Sequence, residues 1–137
     1  MERIDSYHDF ANGVQRIRDS LRSLLVSKKE AGSRIAAYGA AAKGAILLNY
    51  CKIGSDLIDF VADVSPYKQG LNMPGVHLKI YPPSRLLKEV PEYTLLLAWN
   101  IAEEVIKSQS EYQKSGGRFI IPIPEPRVVG EEPIVHP

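Results

Sequence analysis

Cysteine is almost missing from this sequence: Cys51 is the only one among 137 residues. One thiol closes no intrachain disulfide and builds no cysteine-rich zinc site, and it fits a reducing, cytoplasmic setting. An excess of either charge is missing too, since 17 Lys and Arg face 16 Asp and Glu. No global field therefore draws the chain to nucleic acid or to an anionic membrane, and a ligand must be recognised by local groups. No apolar run approaches the ~20 residues that span a bilayer, and "MERIDSYHDF" lacks the apolar core of a signal peptide. His8, His77 and His136 stand at no metal-ligand spacing and beside no evident nucleophile. Repeats and low-complexity tracts are absent. Only "PIPEPRVVGEEPIVHP" is proline-rich enough to run extended or partly disordered.

What is present suffices for one compact core, because single domains commonly run ~100–150 residues. Tyr7, Phe10, Val14, Ile17, Leu21 and Leu24 recur at steps of three and four, the stripe of a long amphipathic helix over about residues 7–30. Ser6 with Asp9 is a plausible capping pair at its start, and Gly32 is a left-handed stop. Fewer than three heptads favour a helix packed on its own sheet over a coiled coil. Beyond it the period changes. "RIAAYG", "LIDFVAD", "TLLLAW" and "RFIIPI" read as buried strands, with "VHLKIY" as a further one. Residues 43–50, 84–89 and 101–114 are the helical candidates between them, the last with Asn100 as its N-cap. Alternating strand and helix predicts a doubly wound, mostly parallel α/β sheet of about five strands ordered 3-2-1-4-5, with helices on both faces. The expected organisation is an N-terminal helix over residues 1–32, an α/β domain over 33–125 and an extended tail over 126–137.

The stretch "YGAAAKG" spans the first strand-to-helix turn. Written as G-x-A-x-x-G, it is the dinucleotide fingerprint with Ala41 in place of the middle glycine. Gly39 permits the tight turn and Gly44 permits close helix-to-strand packing, while a helix N-terminus offers amide donors to an anion. The Ala41 methyl restricts how near a pyrophosphate can come. Lys43 is either a point charge for a phosphate or a solvated helix residue. Asp63 ends the second strand near the position of the acid that binds ribose hydroxyls in dinucleotide folds; it equally suits a cap of the turn "DVSP".

Ligands of such sheets bind outside the carboxyl ends of the strands. Tyr67, Lys68 and Gln69 emerge there after the second strand, and Trp99 with Asn100 after the fourth. Aromatic faces, a cation and amides at one rim suit a nucleotide or a sugar. Trp99 as a core residue and Asn100 as a plain helix cap are the competing readings. Cys51 follows "LLNY" in a helix and reads as a small buried hydrophobe. No self-sufficient catalytic constellation is present.

The blocks "YGAAAKGAILLNYCKIG", "DFVADVSPYKQGLNMPGVHLKIYPP", "PEYTLLLAWNIAEEV" and "GGRFIIPIPEPRVV" resemble the C-terminal domain of S-adenosylmethionine-dependent C-methyltransferases, including those acting on nucleotide-linked deoxysugars. They cover nearly the whole chain. The resemblance implies a Rossmann-like three-layer domain that follows a zinc-binding region and a methyltransferase domain and helps wall the nucleotide-sugar cleft. The sequence has no cysteine cluster and no acidic-Gly-x-Gly-x-Gly motif; "IAAY" precedes Gly39. S-adenosylmethionine and the acid-base residues are thus expected in the upstream domain, this domain's partner. The chain alone, a fragment or a detached homologue, is not expected to be catalytic or to hold a cofactor or metal. Tyr38, Gly39, Ala40, Ala41, Lys43, Gly44, Asp63, Tyr67, Lys68, Trp99 and Asn100 are the expected substrate-facing residues. The alternatives are a free-standing NAD(P)- or nucleotide-binding domain and a purely structural docking domain.

Overall fold

A computed structural model describes residues 2–123 and 126–129, with side chains from residue 15 onward. The tail beyond residue 129, with His136, and the side chains of Tyr7, His8, Phe10 and Val14 lie outside the described residues.

Helix α1 runs Glu2–Glu30. It starts earlier than the capping pair predicted, so Ser6 and Asp9 lie within it. Its end is the expected one: Gly32 takes φ +92°, its N–H donates to Lys29 O and the Ser33 N–H to Lys28 O, which satisfies two carbonyls of the last turn. Then follow β1 (Ile35–Tyr38), α2 (Ala42–Tyr50), β2 (Val61–Ala62), β3 (Ile80–Tyr81), α3 (Ser84–Glu89) and β4 (Tyr93–Leu96). A 3-10 turn (Trp99–Ile101) leads into α4 (Ala102–Ser108) and α5 (Ser110–Lys114), and β5 (Arg118–Ile121) and β6 (Arg127–Val128) are the last elements among the described residues.

The sheet order is β3-β2-β1-β4-β5-β6. The five strands from β3 to β5 are parallel and stand in the expected order, and β6 adds an antiparallel edge. Two strands are shorter than their apolar runs suggested, because "LIDFVAD" and "VHLKIY" each contribute only two ladder residues. Asn100 does not cap a helix. It lies inside the 3-10 turn, its side chain bonded elsewhere, and the helix expected over 101–114 breaks at Gln109 into α4 and α5. The edge of β3 is covered by the segment before it, through Gly70 N–H to Ile80 O and Ile80 N–H to Leu71 O (both 2.8 Å), which satisfies these ladder groups.

Alternation along the strands builds two cores. Ile35, Ala37, Leu95 and Ile120 face α1 and α2 and pack with Leu21, Leu25 and Leu48. Ala36, Tyr38, Leu96 and Phe119 face α3, α4 and α5 and pack with Leu86, Val105 and Tyr112. Leu21 and Leu25 are fully buried, each contributing about 1.5–3 kcal/mol. They anchor α1 on the sheet, assisted by the Arg22–Asp56 (3.5 Å) and Lys29–Asp59 (3.6 Å) ion pairs. Cys51 is buried in the first core, and burial pushes its thiol up to about 11.

Candidate functional site at the carboxyl ends of the strands

Both glycines of "YGAAAKG" answer to sterics. Gly39 takes φ +104°, and a Cβ there would stand 3.0 Å from Ala98 Cβ and 3.1 Å from Ala98 N. A Cβ at Gly44 would stand 2.8 Å from Leu97 Cβ and 3.2 Å from Gly39 O. The turn thus packs directly on the chain leaving β4. Ala41 is the N-cap of α2 in extended conformation with no side-chain cap, and its carbonyl accepts from the Gly44 and Ala45 N–H groups.

Asp63 serves the turn itself. Its Oδ2 accepts the Ala40 N–H at 2.6 Å and its Oδ1 accepts the Ser65 N–H at 2.8 Å. The cap of "DVSP" is therefore real, and the same carboxylate also grips the glycine turn. Lys68 Nζ donates to Ala40 O at 3.1 Å and Gln69 Nε2 to Asp63 O at 2.8 Å. Loop 63–70 and turn 39–44 are in this way tied into one unit.

A second cluster stands beside it. Lys43 Nζ donates to Asn100 Oδ1 and lies 4.7 Å from the centroid of the Trp99 ring. Neighbouring β1 and β4 send their connections to opposite sides of the sheet, towards β2 and towards β5, so Lys43 and Asn100 bridge the crevice where ligands of doubly wound folds enter. Trp99 is half-buried and packs on both cores. Next to it, a cavity of about 360 Å³ is lined by Trp99, Asn100, Glu103, Glu104, Ile121 and Arg127.

The other expected residues fall apart from these clusters. Tyr38 is buried on the side of α4; burial, and then the charge of Asp63, push its phenol up. Tyr67 is 89% exposed, with Val64 (68%) and Leu71 (58%) exposed on the same loop. Sequence reasoning missed Arg85, which stacks on Tyr81 and Phe60; partners so scattered along the chain leave no local signal. Among the described residues no group of His, Cys, Asp and Glu is arranged to hold a metal, and no helix is long and apolar enough to cross a membrane.

The sequence matches the family of the C-methyltransferase C-terminal domain over residues 1–124. It is 43% identical over 126 residues to the C-methyltransferase NovU of Streptomyces niveus, an alignment covering 92% of this chain and 30% of that relative. The chain thus spans less than a third of the length of the curated relative that it matches. A match along nearly all of the chain, on a sheet of the expected order, shows that it belongs to the C-methyltransferase C-terminal domain family.

Proposed function

We propose that this domain forms the acceptor-side wall of the cleft in an S-adenosylmethionine-dependent C-methyltransferase, where it orients a nucleotide-linked sugar against a preceding catalytic domain of the same cytoplasmic protein. The observation that carries the reading is the Lys43–Trp99–Asn100 cluster across the β1/β4 crevice. It gathers an aromatic face for a sugar or base and a cation and an amide for oxygen atoms, beside a cavity of about 360 Å³. Exposed Val64, Tyr67 and Leu71 at the same end suit contact with another domain.

The turn does not fit S-adenosylmethionine or a dinucleotide. Ala98 fills the space at Gly39, Ala41 stands at the close-approach position, and Asp63 already holds Ala40 and Ser65. The methyl donor, bound in the remainder of the whole protein, would supply the electrophilic methyl group. The share of this domain is orientation of the carbon that becomes the nucleophile once a neighbouring carbonyl has eased loss of its proton. Orientation of two reactants can contribute on the order of 7–11 kcal/mol in the best cases.

In the whole enzyme, Lys43→Ala and Trp99→Leu should raise the KM for the acceptor about tenfold or more, the size of one lost charged contact. The KM for S-adenosylmethionine should stay unchanged. Acceptor kinetics untouched by both substitutions would sink the proposal. They would favour instead a purely structural domain, a reading that the internal use of Asp63 makes specific.

A further inference from the structure

Arg85 lies in the first turn of α3, half-buried, against two aromatic rings. Its guanidinium carbon is 4.2 Å from the centroid of the Tyr81 ring and 5.7 Å from that of Phe60. The two rings meet edge to face with centroids 5.7 Å apart, so the guanidinium packs against an aromatic pair. Its Nε is the one buried side-chain nitrogen or oxygen without a hydrogen-bond partner among the described residues. Arg22 and Arg34 are bonded to carbonyls and carboxylates; no described carboxylate pairs with Arg85. Lys79 Nζ lies 5.7 Å from the same Tyr81 ring and is likewise outside these ion pairs. Two cations therefore share one aromatic ring with no described anion to neutralise them. Tyr81 ends β3, and its carbonyl accepts the Asp63 N–H at 2.9 Å, so the backbone of the stacked tyrosine joins the Asp63 loop.

We propose that Arg85, Lys79 and the face of Tyr81 form a phosphate-binding site. A guanidinium already packed against two aromatic rings loses less freedom than a solvated one when its outer N–H groups bind two phosphate oxygens, and Lys79 adds a point charge. The preference for phosphate stands on this geometry alone. Only the source of the phosphate, an acceptor nucleotide or a separate phosphate, involves the function proposed above.

The test is a titration of the 137-residue chain with sodium pyrophosphate, followed through the Arg85 Nε–H resonance, which Arg85→Lys identifies by its loss. The expected result is a saturable shift of that resonance and of the Tyr81 backbone amide; followed through that amide, the affinity should be about tenfold lower in Arg85→Lys, where the fork is gone and the charge is kept. An unmoved resonance, or an equal shift with acetate at the same concentration, would overturn the proposal. If Arg85→Lys disturbs the backbone spectrum, Lys79→Gln replaces it; unchanged pyrophosphate affinity there overturns the proposal as well. A nucleoside-diphosphate-sugar that moves Arg85 and Trp99 along one saturation curve supports the site and identifies the acceptor as the source. Movement of Arg85 alone supports the site and counts against the acceptor reading, and movement of Trp99 alone does the reverse.

Discussion

Replacing Gly44 with Ala tests whether the last glycine of the turn is there for packing. In an open helical position this change stabilises by about 1 kcal/mol, because Ala loses less backbone entropy on folding. Here the new Cβ would stand 2.8 Å from Leu97 Cβ, 3.2 Å from Gly39 O and 3.3 Å from Leu97 Cδ1. Ordinary carbon contacts lie at about 3.5–4.0 Å, so the shortfall approaches ~1 Å. Leu97 is fully buried and Gly39 O is backbone, so the start of α2 must move instead. Overpacking costs about 1–3 kcal/mol, and a 2.8 Å approach to a buried Cβ takes the upper part of that range, about 2–3 kcal/mol, which leaves a net loss of about 1–2 kcal/mol after the helix gain. For a chain of this size the thermal midpoint should fall by about 3–8 °C. Because Lys43 is the preceding residue, the same movement draws its ammonium from Asn100 and the Trp99 ring, and the emission of the only tryptophan should change. Gly54→Ala is the control: its nearest neighbour would be Asp56 Oδ1 at 3.7 Å, so it should be neutral or stabilise by about 0.4–1 kcal/mol. Urea denaturation measures both variants. A Gly44→Ala protein as stable as its parent, with unaltered Trp99 emission, would refute the packing argument.

Asp63→Asn turns an amide donor towards either the Ala40 or the Ser65 N–H, and should cost about 1.5–3 kcal/mol by urea denaturation; a loss under ~0.5 kcal/mol would mean that the carboxylate does not hold the turn. The Tyr112 hydroxyl donates to Pro91 O (2.6 Å) and accepts from Thr94 Oγ1 (2.8 Å), so Tyr112→Phe should cost about 1–3 kcal/mol by leaving buried groups unpaired. Burial pushes the Tyr112 phenol from 10.0 up to about 12. The unfolded chain then releases this proton before the folded one does, so stability is full below pH 10 and falls as pH rises towards 12. Thermal midpoints across that window should fall less steeply in Tyr112→Phe than in the parent. The Cys51 thiol, moved from 9.0 to about 11, should carry about a hundredfold less thiolate at pH 8 than an unperturbed one. Alkylation should be correspondingly slow until urea is added, and fast alkylation of the folded chain would contradict its burial.

The order of the parallel strands was legible because continuous apolar runs separated by amphipathic stretches leave few ways to bury both sheet faces. The stop at Gly32 and the roles of Gly39 and Gly44 were legible for the same local reason: a left-handed φ and a close approach of backbones both call for glycine. Helix bounds were less so. The start of α1 lies ahead of its capping signal, and α4 parts from α5 at Gln109 with no glycine or proline to announce it.

Which rim residues work together lay beyond the sequence. "DVSP" and "YGAAAKG" do not tell that Asp63 grips Ala40, and a good cap residue such as Asn100 does not declare that its side chain turns to Lys43 instead. Nor does Arg85, just after a pair of prolines, announce that Phe60 and Tyr81 will pack against it. Hydrophobic period and turn chemistry act over a few residues and therefore specify the strands, the helices and the family blocks. The pairings at the carboxyl ends join residues brought side by side only by the order β3-β2-β1-β4, so the assembled sheet alone decides them.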